Sequence, residues 1–156
     1  MVTGIIGAVT GISGAIMGYV SYRKSNEIKS LDLRLELRKS INNFNSSLSQ
    51  AEELLPYANK SRERVASATG KLRSGAMQVW KDQYENDLSA LNYFSEKSKI
   101  LNKEYETFSP KDLEAELVNL HKLQNQLNEL KNKYDNAVKD DDKEREHIRN
   151  RHETVK

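Results

Sequence analysis

Residues 37–58 read LRKSINNFNSSLSQAEELLPYA. Apolar side chains recur in this stretch at alternating steps of four and three residues, which places one apolar stripe along a helix. This spacing is typical of coiled coils and long-helix bundles. The stripe, called the seam below, consists of Leu37, Ile41, Phe44, Leu48, Ala51, Leu55 and Ala58. The same steps continue, with two polar members, through Arg62, Val65, Thr69, Leu72, Ala76 and Val79.

The residues just before the seam alternate apolar and charged side chains, as LDLRLEL over 31–37. Leu, Arg and Glu favour helix, and no partner for a strand lies nearby in the sequence. On a helix, Leu31 and Leu35 fall on one side, and Leu33 and Leu37 on nearly the opposite side. A helix that is apolar on two sides needs two neighbours, or one neighbour and a membrane surface.

Two further apolar patterns predict two more helices. The first comprises Trp80, Tyr84, Leu88, Leu91, Phe94, Leu101, Tyr105 and Phe108. The second comprises Leu113, Leu117, Leu120, Leu123, Leu127, Leu130, Tyr134 and Ala137. We therefore expect an all-α fold with helices over about 26–70, 75–108 and 110–145, packed as an antiparallel coiled coil or three-helix bundle.

Capping signals mark the helix boundaries. Ser109, Pro110 and Asp112 have the spacing of a capping box with proline at the first helical position, so a helix starts there. Gly70 and Gly75 bracket a predicted turn, although the heptad phase runs through it. Pro56 predicts either a kink or a helix start.

Residues 2–22 carry no charged side chain and read VTGIIGAVTGISGAIMGYVSY. As a helix they would span roughly 31 Å, about the thickness of a bilayer core, which predicts an N-terminal transmembrane helix over 1–22. A cleaved signal peptide and a buried hairpin remain as alternatives. Lipid headgroups would contact Tyr19, Tyr22, Arg23 and Lys24.

The glycines of this segment suggest a packing face. They recur at steps of three and four and share one narrow arc of the helix, which permits close approach of two helices. The predicted contact residues of this glycine zipper are Gly4, Gly7, Gly11, Gly14 and Gly18.

Charge and residue usage exclude several classes of function. The chain has no cysteine, and its 25 Lys and Arg nearly balance its 23 Asp and Glu. This balance does not indicate a nucleic-acid partner. We find no catalytic constellation, no metal-ligand spacing around His147 and His152, and no nucleotide cradle. The sequence therefore predicts neither an enzyme nor a cofactor.

The distribution of charge along the chain is uneven. Residues 60–81 carry a net charge of +5 and residues 82–117 a net charge of −5. Complementary blocks of this kind can guide helix pairing within or between chains, although two solvated faces that differ by chance would look the same.

The expected layout is a transmembrane helix (1–22), a cytoplasmic helical domain (23–138) and a charged, frayed or disordered tail (139–156). The excess of basic residues after the apolar segment places the N-terminus outside. This layout resembles that of many small bacterial proteins in architecture only. We expect a membrane-anchored scaffold that binds the bilayer, an unknown protein partner and further copies of itself, through the membrane helix and the heptads. A holin-like or effector protein that permeabilises membranes is the alternative.

Overall fold

The computed structural model describes the backbone of residues 2–101 and 103–154. Three helices make up this part of the chain: α1 (Val2–Ala68), α2 (Gly75–Leu101) and α3 (Pro110–Thr154). The all-α prediction is confirmed. Side chains are described for residues 17, 21–25, 27–101 and 103–151.

The chain divides into two compact units. One contains Met1–Lys39 and Glu104–Val118, and the other contains Ser40–Lys103 and Asn119–Lys156. We call them unit 1 and unit 2.

In unit 2, parts of all three helices pack around the seam. The seam members from Ile41 to Ala58 are all buried there, as the heptad spacing predicted. Phe44 meets Phe94 of α2 edge to face, with ring centroids 6.3 Å apart, and Tyr134 of α3 meets Trp80 in the same way at 5.5 Å. These aromatic contacts join α1 to α2 and α2 to α3.

The core of unit 1 is smaller. Leu37 and Leu113 are completely buried there, and Leu117 and Tyr105 nearly so. Polar contacts lie at its edge, where Lys29 pairs with Glu114 at 2.8 Å. Both side chains are at least half exposed, so this ion pair contributes little to stability.

The turn between α1 and α2 has a glycine-dependent geometry. Gly70 has φ of +71°, a left-handed conformation that side chains other than glycine rarely adopt. The Lys71 amide donates to the Ala66 carbonyl at 2.7 Å and the Gly70 amide to the Ser67 carbonyl at 3.2 Å, which is the Schellman pattern of a helix end. The predicted turn is therefore present.

The start of α3 is a reciprocal capping box, as predicted. The Asp112 amide donates to the Ser109 hydroxyl, and the Ser109 amide donates to the Asp112 carboxylate, both at 3.3 Å. These bonds satisfy two amides that the helix itself leaves without a partner. Pro56 starts no helix, because α1 continues through it.

The structure departs from the predicted seam after the turn. Leu72 and Val79 are about half exposed, and Met77 is buried in their place. The connection through residues 69–74 resets the phase, so a heptad count carried across it fails. The helix α2 also ends at Leu101, earlier than expected, and Tyr105 is buried from a non-helical connection.

The prediction of a transmembrane helix over 1–22 is not supported. Within the part of the chain that the structure describes, no helix is long and apolar enough to cross a bilayer. The predicted single-pass placement, with the N-terminus outside and residues 23–156 in the cytoplasm, is therefore wrong. It rested on the absence of charge, whereas nine of the 21 residues in 2–22 are Gly, Ser or Thr and supply little apolar surface.

Two leucines on opposite sides of α1 test its orientation. Leu37 is fully buried and Leu35 is 58% exposed. We expect Leu37→Ala to lower the free energy of unfolding by roughly 2–5 kcal/mol, because it leaves a cavity. The matched variant Leu35→Ala should change it by no more than about 0.5 kcal/mol. Urea unfolding followed by circular dichroism measures both, and equal losses would contradict the described orientation.

Candidate functional site

An exposed apolar stripe lies on α1 in unit 1. Its members, Ile28, Leu31 and Leu35, follow one another at steps of three and four residues and therefore share one side of the helix. Each is 54–58% exposed. We call this set the outer stripe.

The opposite side of the same segment faces the core. Leu37 is completely buried, Leu33 is half-buried, and the Arg34 guanidinium donates to the Glu106 carbonyl at 2.6 Å. The sequence pattern correctly indicated a helix that is apolar on two sides. Within the described residues the chain covers the inner side, and the outer stripe stays exposed.

Positive charge flanks the outer stripe. Lys24 lies one turn before Ile28 and Arg38 lies one turn after Leu35, with Lys39 beside it. Three acidic residues, Glu27, Asp32 and Glu36, are adjacent in the sequence to stripe residues, whereas the cations lie at the two ends of the stripe. All of these charged side chains are exposed. The ends of the outer stripe therefore favour a partner with acidic groups at the matching positions.

A polar cluster is buried in unit 2, where α1 and α3 meet. Nε of Arg62 lies 3.0 Å from Oδ1 of Asp141; the Asp141 side chain is 1% exposed and that of Arg62 is 33% exposed. The Arg62 guanidinium also lies 5.0 Å from the centroid of the Trp80 ring, in cation–π geometry. The Trp80 indole N–H donates to the Asn59 side-chain oxygen at 2.9 Å. Arg62 of α1 therefore contacts both α2 and α3 at this level of the bundle.

Burial raises the pKa of the Asp141 carboxyl, because the charged form loses water. Ser61, Arg62 and Arg145 act in the opposite direction, and burial outweighs them. Burial is also the largest cause of the raised pKa of Tyr134, whose hydroxyl donates to Asp87 at 2.9 Å. Both groups serve as internal polar anchors between helices.

Asp141 is not among the site residues predicted from the sequence. It lies within 139–156, for which a charged, frayed or disordered tail is predicted, and α3 extends through Thr154. The signal was present in the spacing: Tyr134, Ala137 and Asp141 follow one another at steps of three and four, and all are buried.

A cavity of about 470 Å³ lies beside this cluster. Met77, Trp80 and Val65 supply apolar walls, and Lys71 and Glu144 supply charges of both signs. The mixture of charges selects neither anions nor cations, so the cavity by itself indicates no ligand class.

A basic groove of about 430 Å³ lies on the outer side of the same end of unit 2. Its cationic residues are Lys60, Arg64 and Lys81. Leu72, 46% exposed, is its apolar element. The remaining lining residues are Glu63 and Ser67.

The site residues predicted from the sequence contribute little to this picture. Six of them lie in α1, but they are outside the residues whose side chains are described: Gly4, Gly7, Gly11, Gly14, Gly18 and Tyr19. The predicted glycine zipper therefore has no support. Tyr22, Arg23 and Lys24 are exposed.

In the described part of the chain, no group of three or more His, Asp or Glu residues is placed to hold a metal ion. His121, on α3, is exposed.

Comparisons with known proteins give no relative. The chain matches no family model, no curated protein and no solved structure.

The buried ion pair predicts an asymmetric mutational response. Arg62→Met leaves the Asp141 carboxylate buried without its cation, and we expect it to lower the free energy of unfolding by roughly 2–4 kcal/mol. The double variant Arg62→Met/Asp141→Leu should recover most of this loss, because an apolar pair can replace a buried ion pair. Arg64→Met, two residues away and exposed, is the matched control. Equal losses in the Arg62 and Arg64 single variants would contradict a structural role for the pair.

The raised pKa of Asp141 predicts a pH-dependent difference between two proteins. The folded state holds this proton more tightly than the unfolded state, so the contribution of Asp141 to stability falls as the pH rises from 3.8 through the raised folded value. Wild type should therefore lose stability relative to Asp141→Asn across this window. Urea unfolding at a series of pH values measures the difference, and a constant difference would contradict the assignment.

Proposed function

We propose that this chain is a helical interaction protein that binds an amphipathic helix of a partner protein through the outer stripe. The observation that carries the proposal is the exposure of Ile28, Leu31 and Leu35 on the side of α1 opposite to buried Leu37. Their spacing is that of a helix-in-groove or coiled-coil contact.

The apolar contribution to such a contact is moderate. Each of the three side chains is a little more than half exposed, so its burial contributes roughly 1–2 kcal/mol. Burial of these three side chains is not sufficient by itself to offset the entropy cost of association. The contact therefore depends on charges around the stripe as well as on the stripe itself.

The charges favour an acidic partner over a second copy of this chain. Lys24 and Arg38 continue the stripe at its two ends, so two antiparallel copies would place these cations against each other. A parallel pair would place Glu27 near Asp32 of the other copy, which is also repulsive. A partner helix with an apolar stripe between acidic ends meets neither obstacle.

This proposal retains the interaction-protein part of the sequence-based hypothesis and omits the membrane anchor. The permeabilising alternative depended on a membrane-spanning segment and is not retained.

Photo-crosslinking tests the proposal in cells of the source organism. Leu31 of the full chain is replaced by benzoylphenylalanine, and the crosslinked peptide is sequenced by mass spectrometry. We expect one main adduct, with a helix that carries an apolar stripe and acidic ends. Arg38→Glu in the same protein should lower the adduct yield about tenfold, because it repels the acidic end.

Ile100 supplies the matched control position. It is 58% exposed, like the stripe residues, but lies on α2 in unit 2. Crosslinking from Ile100 should not give the same adduct. An adduct between two copies of this chain, an adduct unaffected by Arg38→Glu, or no adduct above the Ile100 control would each overturn the proposal.

A further inference from the structure

We infer that the basic groove of unit 2 is a second docking site, and that it takes a short acidic peptide segment with an apolar side chain. The groove is separate from the outer stripe, which belongs to unit 1. The two proposals can therefore fail independently.

The cations of the groove come from two helices. Lys60 and Arg64 are one turn apart on α1, on the side opposite to the seam, and Lys81 belongs to α2. All three side chains are exposed. Neighbouring Lys71 and Arg73, which flank Leu72 in the connection, are exposed as well. Their positive potential is therefore directed at solvent and attracts anions.

The acidic groups nearby do not neutralise the groove. Glu63 accepts a hydrogen bond from Asn59 at 3.5 Å and is half-buried. The Asp141 carboxylate is buried 3.0 Å from Arg62, and neither residue lines the groove. The lining of the groove therefore carries three cations and one anion.

Two features favour an acidic peptide over a nucleic acid. Leu72, 46% exposed in the lining, offers an apolar contact that a phosphate backbone does not use. The nearby Trp80 is engaged by Arg62 and Tyr134, so its ring is not free to stack on bases.

Fluorescence anisotropy with the full chain tests this inference. The probe is a fluorescein-labelled peptide of glutamates around a central leucine, and we expect saturable binding that weakens as salt is added. Lys60→Gln/Arg64→Gln should weaken binding about tenfold, because two favourable charge contacts are lost. Leu72→Ser should weaken it about threefold, because less apolar surface is buried.

Controls separate the groove from charge in general. Lys99→Gln/Lys122→Gln removes the same charge from exposed positions outside the groove and should leave binding unchanged. A peptide with glutamine in place of glutamate should not bind. Equal weakening by the two double variants, tighter binding of a single-stranded oligothymidylate of equal charge, or no binding of the acidic peptide would overturn the inference.

Discussion

Burial of the seam constrains the direction of the other side chains on α1. Because successive residues of a helix are rotated by about 100°, a buried Leu37 directs Leu35 to the opposite side of α1, where it is exposed. The same constraint acts near the other end of the helix, where Arg62 follows Ala58 along the inner side and turns toward Asp141. Lys60 and Arg64 must then face outward. The two candidate docking surfaces and the buried ion pair are thus consequences of one stripe of apolar contacts.

The features that the sequence predicted correctly depend on residues close together in the chain. The capping box at Ser109 and Asp112 joins groups three residues apart, and the turn at Gly70 depends on a conformation that glycine adopts without strain. The seam is local in the same sense, since its period is a property of one helix. Of the candidate surfaces, the outer stripe could be predicted in this way, because the alternation around Leu33 already indicated two apolar sides.

The features that the sequence did not predict depend on residues that come into contact only in the folded chain. Asp141 is buried against Arg62, which lies 79 positions away in the sequence, and no residue within 139–156 indicates that contact. The exposure of Leu72 and Val79 follows from the geometry of the turn, which no heptad count contains. The membrane prediction failed for another reason. It treated the absence of charged side chains as a measure of apolar surface, although glycine, serine and threonine carry no charge and also add little apolar surface.

The chemistry of the outer side of α1 changes abruptly along the helix. Over residues 38–53, the exposed side chains are all polar or charged, including Asn42, Ser49 and Glu52. Over residues 28–35, the exposed side chains include Ile28, Leu31 and Leu35. Scattered apolar side chains on a surface need no explanation. Three apolar side chains in helical register do need one, because the exposed positions of the following four turns include no apolar residue. Polar side chains over 38–53 suit contact with water, whereas the apolar side chains over 28–35 suit contact with a second apolar surface.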